Sequence, residues 1–304
     1  MKSIIGYIKG YFHETDKRVL AIVSVLTALL IFLNYHFGID DRIDNRKSFI
    51  VSFLGRYIIF FTAFGLPYLV YVMVAGKDYF RSWHFIMLLV IAPFIFSLKV
   101  ALNPSLPFSD NWHVNNFWNH VFYWPSLLVI TGSILFIIWK ISDSDQPLYG
   151  IRTKDMNWKP YIIMLLIMVP MIAAASTQPD FLAVYPKLKL VADVGNINEL
   201  PWWQKLFFEL SYGSDFITIE LFFRGFLILA FIKWAGKDAI LPMACFYCTI
   251  HFGKPLGECI SSYFGGMILG IVVYHTRSIF GGLMVHLGIA WLMEIGGYIN
   301  PLSL

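Results

Sequence analysis

The run FFELSYGSDFITIELFFRGFLILAFIKW, residues 207–234, is mostly apolar, yet within TIELFFRG (Thr218 to Gly225) it carries Glu220 and Arg224. On a helix, residues at i and i+4 share a face. A charge at membrane depth costs about 2.5–3.5 kcal/mol on insertion scales, and pairing lowers that cost. Glu220 and Arg224 are therefore either an ion pair that locks helices or one corner of a chemical site. The neighbouring segments bear on the choice.

Composition places this run in a membrane. The chain is 58% hydrophobic and 14% charged, with mean hydropathy +0.66, against about 25% charge in ordinary soluble domains. It predicts an all-α, polytopic transmembrane helix bundle, an integral protein of the cell (inner or plasma) membrane with the lipid bilayer as a partner. A large soluble domain does not fit. The net charge of +4 forms no basic stripe, so no nucleic-acid partner is expected.

Apolar runs of about 20 residues predict spans at 18–37, 50–75, 83–101, 117–139, 160–177, 208–234, 238–252, 258–276 and 278–297. That makes nine, or eight if the short seventh is only partial. The longest connection, bounded by Pro179 and Pro201, divides the chain into an N-terminal transmembrane half (1–178), an extramembrane connection (179–204) and a C-terminal transmembrane half (205–304). Basic residues set orientation. With the N-terminus in the cytoplasm, Lys2, Lys9, Lys17, Arg18, Lys77, Arg81, Lys140, Arg152, Lys154, Lys159, Lys233, Lys237 and Arg277 lie inside. They outnumber Arg42, Arg46, Lys47, Lys187, Lys189, Lys205 and Lys254 outside.

Chemistry-bearing residues concentrate in the last four spans. His251 ends the seventh, and the turn Gly253, Lys254, Pro255, Gly257 leads straight to Glu258 in the first turn of the eighth. So short a turn returns Glu258 to about the depth of His251. A carboxylate and an imidazole there can hold or activate a water. His286 lies in mid-span, on a stripe with Gly282, Ala290 and Glu294. Ser262, Gly266 and Gly270 supply a small-residue face for close helix packing. A lone intramembrane histidine is usually a packing hydrogen bonder, but two histidines, three acids and an arginine within one half are harder to assign to packing. Cys245, Cys248 and Cys259 are a poor zinc set, since spacing of three on one helix face rarely closes a tetrahedral cage.

ELFFRG, YCTIHFGKP and SIFGGLMVHLGIA, taken together, resemble the CPBP family of intramembrane proteases, the CAAX prenyl endopeptidases and bacteriocin-processing (Abi) enzymes. The resemblance covers roughly residues 205–298. Its pattern is a Glu-Glu pair, three residues and Arg, then aromatic-xxx-His, then His-xxx-Asn. Carried over by position, Glu220 is the second glutamate, Arg224 its partner, Tyr247 and His251 the aromatic-xxx-His, and His286 the last histidine. The resemblance implies that the first glutamate and first histidine activate a water and that the last histidine and Asn stabilise the oxyanion. Ile219 and Ala290 stand where the first glutamate and the Asn belong.

Two expectations follow. One is a variant endopeptidase that hydrolyses membrane-proximal or lipid-modified peptides. In it His251, a carboxylate from Glu258 or Glu220, and His286 are catalytic, while Arg224 and Tyr247 support the site. His251, His286 and Glu258 would then be the ligands of a divalent metal such as zinc, if the site uses one. The other expectation is a non-catalytic scaffold or binding protein, or an ion- or proton-coupled transporter, on the same fold.

Overall fold

The computed structural model describes residues 4–44, 48–153, 157–192, 197 and 200–299, and among them every regular element is helical. Lys2, Arg46, Lys47 and Lys154, used above for orientation, lie outside the described residues. Six helices are long and apolar enough to cross a membrane: α2 (Lys17–Phe37), α4 (Phe49–Ala75), α5 (Trp83–Ala101), α6 (Trp112–Ser142), α12 (Leu256–Thr276) and α13 (Phe280–Ile299). With the composition, they make this an integral membrane protein. The remaining helices are α1 (Ile4–Glu14), α3 (Ile39–Asp44), α7 (Lys159–Ala175), α8 (Pro179–Val184), α9 (Trp202–Ile219), α10 (Ile232–Ala235) and α11 (Ile240–Thr249).

The expected eight or nine spans are not confirmed, for local reasons. The segment at 160–177 is α7, apolar but only 17 residues long. The segment at 208–234 is broken into α9, a π-helix over Glu220–Ala230, and α10. The segment at 238–252 reduces to the ten residues of α11, all buried. A short helix at membrane depth is tolerated when protein rather than lipid surrounds it.

The chain packs as two compact units, and each draws on both halves of the sequence. The first comprises residues 1–102, 134–152 and 221–279. Aromatic rings fill its core: Phe96 meets Phe222 and Phe223, each at 4.9 Å between centroids, and Phe246 meets Phe60 at 4.9 Å and Phe223 at 5.1 Å. Lipid offers apolar groups no reason to leave it, so close ring packing rather than water exclusion holds such helices together. The second unit comprises 103–133, 153–220 and 280–304. In it the glycines of α13 admit α7: Gly281 faces Tyr161 and Gly288 faces Leu165. A cluster of Phe117, Trp124, Phe208, Tyr212 and Ala290 ties α6, α9 and α13 together.

Candidate active site

Two of the sequence-predicted residues meet directly in the second unit. Glu220, fully buried, closes α9, and His286 sits in the middle of α13. His286 Nδ1–H donates to Glu220 Oε1 at 2.9 Å. The carboxylate thereby fixes the ring orientation and puts the lone pair of the neutral ring on Nε2. The edge of Phe216 packs on the same imidazole at 4.8 Å between centroids. Gly282, one turn before His286, is the clearance for the carboxylate: a Cβ there would lie 2.5 Å from Glu220 Oε2. GGLMVHLG therefore encodes both the imidazole and the space its partner occupies.

The π-helix starts at Glu220 itself. Bonding i→i+5 is rare, and its short stretches are enriched at functional sites. Here it carries Glu220 and Arg224 on one segment, and Gly225 on that segment lets the chain at Tyr149 pass, since a Cβ would meet the Tyr149 carbonyl oxygen at 2.6 Å.

In the first unit, the Arg224 guanidinium is fully buried and lies over the face of Tyr247, its central carbon 3.9 Å from the ring centroid. Tyr247 fits because Gly266 has no side chain: a Cβ would meet Tyr247 Cδ1 at 2.8 Å. One turn on, His251 Nδ1–H donates to the Tyr247 carbonyl at 3.0 Å, and the two rings meet edge-on at 4.8 Å. A carbonyl only accepts, so Nδ1 keeps the proton and Nε2 holds the lone pair of the neutral ring. Glu258 lies in the first turn of α12 with its Oε1 3.8 Å from Lys254 Nζ.

The turn after His251 is held by residues the sequence reading did not single out. Asn34 Nδ2 donates to the Phe252 carbonyl at 3.2 Å, and Tyr35 Oη donates to the Lys254 carbonyl at 2.6 Å and the His251 carbonyl at 3.4 Å. Asn34 Oδ1 in turn accepts from the Asp40 amide at 2.9 Å. Asp40 pairs with Arg56 at 3.0 Å and backs onto Gly253, where a Cβ would sit 2.8 Å from its Oδ2. Burial pushes the Asp40 carboxyl above the usual carboxylate range, and the Arg56 charge offsets part of that rise. The only hint in the sequence is the polar pair Asn34-Tyr35 near the end of an otherwise apolar span.

Among the described residues no group of three or more His, Cys, Asp or Glu side chains is placed to hold a metal ion. His251, His286 and Glu258 are not gathered into such a set. Cys245, Cys248 and Cys259 are buried thiols, the latter two with sulfurs 3.8 Å apart.

No curated protein and no solved structure matches the chain. Residues 201–292, which run from the start of α9 into α13 and contain all six site residues named from the sequence, match the family model described as type II CAAX prenyl endopeptidase Rce1-like, in agreement with the resemblance carried by the motifs.

Proposed function

We propose that the protein is an intramembrane endopeptidase that cleaves membrane-proximal or lipid-modified peptides, a substrate class in keeping with the family description of a CAAX prenyl endopeptidase. The observation that carries this reading is the buried Glu220–His286 hydrogen bond of 2.9 Å. A carboxylate that orients an imidazole is a recurring device for managing charge and protons in acyl transfer. The 201–292 match supports the reaction class.

In the proposed reaction, His251 Nε2 takes a proton from a water whose oxygen attacks the scissile carbonyl carbon. The Tyr247 carbonyl retains the Nδ1 proton, so Nε2 is the basic nitrogen of the neutral ring. Glu258 is the carboxylate assigned to hold that water, in place of the glutamate that Ile219 replaces. The Glu220–His286 pair is the second proposed catalytic pair, in which the buried carboxylate orients the imidazole. The proton gained by His251 passes to the leaving amine as the carbon–nitrogen bond breaks. Arg224, stacked on Tyr247, braces the ring one turn before His251.

The experiment is cleavage, by purified protein in lipid nanodiscs, of a fluorogenic peptide ending in a prenylated cysteine and three further residues. An unmodified peptide of the same sequence and an apolar membrane-inserting peptide run beside it. Release of a fragment by the wild type and its loss in His251→Ala are expected. No cleavage of any of the three would favour the scaffold or transporter reading.

A further inference from the structure

Helices α11 and α12 of the first unit pack along a close seam that ends in two thiols. Gly270 faces Met243, where a Cβ would lie 2.6 Å from its Cε, and Gly266 faces Tyr247. The next rung towards the turn is Cys248 against Cys259, both fully buried, with sulfurs 3.8 Å apart. Each thiol points at the main chain of the other. Cys248 Sγ–H donates to the Cys259 carbonyl at 3.3 Å, and Cys259 Sγ–H to the Cys248 carbonyl at 3.7 Å. A disulfide needs closely approaching main chains and sulfurs at about 2.05 Å, so from this arrangement the sulfurs must close by about 1.8 Å.

The pair brackets the turn that carries His251 and Glu258. The His251 amide donates to the Cys248 carbonyl at 3.1 Å, and the Cys259 amide to the Pro255 carbonyl at 3.0 Å. Glu258 immediately precedes Cys259. Burial shields both thiols from bulky reagents. Cys259, however, sits in the first turn of α12 between exposed Gly257 and exposed Ile260. Helix ends fray, so a molecule the size of hydrogen peroxide can reach it.

We infer that Cys248 and Cys259 are a redox modification site: hydrogen peroxide joins them in a disulfide, and the bridge switches off the chemistry of the turn between them. One thiolate attacks a peroxide oxygen, the O–O bond breaks, and a sulfenic acid remains. The second sulfur then displaces that oxygen as water and forms the S–S bond. In sum, two thiols and one hydrogen peroxide give one disulfide and two waters, and two electrons pass from sulfur to oxygen. Oxidation removes both thiol donors and draws the ends of α11 and α12 together. His251 and Glu258 move with the main chain that holds them, and a misplacement of about 1 Å at a reacting centre costs about 10²-fold in rate. The loss of cleavage rests on the endopeptidase reading above; the bridge does not.

The test treats the full-length protein in nanodiscs with hydrogen peroxide, alkylates the remaining thiols, and reads proteolytic fragments by mass spectrometry. The same sample is assayed for cleavage before and after a phosphine reductant. The fragments holding Cys248 and Cys259 are expected to be joined, lighter by two hydrogens, with Cys245 still alkylated. Cleavage should fall at least tenfold and return on reduction. Cys248→Ala and Cys259→Ser should each keep the untreated cleavage rate and lose the response to peroxide, while Cys245→Ala keeps both. Exposed Met73 serves as a clock for the oxidant. Unbridged Cys248 and Cys259 once Met73 is converted to its sulfoxide would overturn the site. Joined fragments with an unchanged cleavage rate would overturn the switch. Joined fragments in a protein that cleaves no test peptide even when reduced would sink the endopeptidase reading and leave the modification site standing.

Discussion

Glu220 and His286 lie 66 residues apart in the chain and share a 2.9 Å hydrogen bond between a fully buried carboxylate and a mostly buried imidazole. Glu220→Gln keeps the shape and removes the carboxylate charge beside His286; His286→Ala removes the imidazole that the carboxylate orients. Each is expected to lower kcat by about 10²–10³-fold. Single-turnover cleavage separates this from binding: a rise in KM with kcat unchanged would place the pair outside the chemistry.

Gly282 tests the same pair from the other side. Gly282→Ala places a methyl 2.5 Å from Glu220 Oε2, and the carboxylate must move. Overpacking of this kind costs about 1–3 kcal/mol. The expected result is a folded protein with a lowered thermal midpoint and activity reduced at least as far as in Glu220→Gln. Gly281→Ala, which crowds Tyr161 rather than Glu220, separates general crowding from displacement of the carboxylate.

Arg224 is held over the face of Tyr247. Lysine keeps the charge and loses the planar stack, so Arg224→Lys is expected to destabilise by about 1–2 kcal/mol. Tyr247→Phe retains the ring and should cost less. A thermal-shift comparison in detergent checks the order; equal losses would show that the stack contributes nothing.

Tyr35 is expected to act on His251 through the backbone of the turn. Tyr35→Phe removes the donor to the Lys254 and His251 carbonyls and should lower kcat severalfold with KM unchanged. The pH–rate profile is the decisive readout, because a merely structural loss would scale the curve without moving it. Asn34→Ala, which releases the Phe252 carbonyl, should lower kcat in the same way.

Asp40 supplies a pH signature. Its carboxyl is raised by burial, so the folded state keeps the proton to higher pH than the unfolded chain does. The resulting stabilisation is complete below the ordinary carboxylate range and is lost as pH rises through the folded value. Asp40→Asn should flatten that part of a thermal-midpoint-against-pH curve.

Much of this was legible in the sequence, and what was not has physical causes. Run length found the six long helices, because a bilayer sets a minimum apolar length. The further spans it counted are not confirmed, and two of them fall where protein encloses the chain: all ten residues of α11 and the stretch Glu220–Ala230 are buried. Intramembrane charge flagged Glu220, Arg224 and His286, because such groups are too costly to keep without a use. Which acid meets which histidine was not legible, since that contact joins α9 to α13. Asn34, Tyr35 and Asp40 escaped notice because their role is to hold a backbone turn, and a backbone partner leaves no mark in side-chain patterns. The π-helix is silent for a similar reason: ELFFRGFLILA has too few polar residues to display its period.

The most direct measurement is the cleavage rate of the fluorogenic prenylated peptide by wild type, Glu220→Gln and His286→Ala, each purified folded in nanodiscs, together with the double variant. If the two side chains act as one unit, the double variant is no slower than the worse single variant, and all three fall about 10²–10³-fold below wild type. Cleavage at the wild-type rate by Glu220→Gln, or losses in the single variants that multiply in the double, would contradict the pairing of Glu220 and His286 as the working centre.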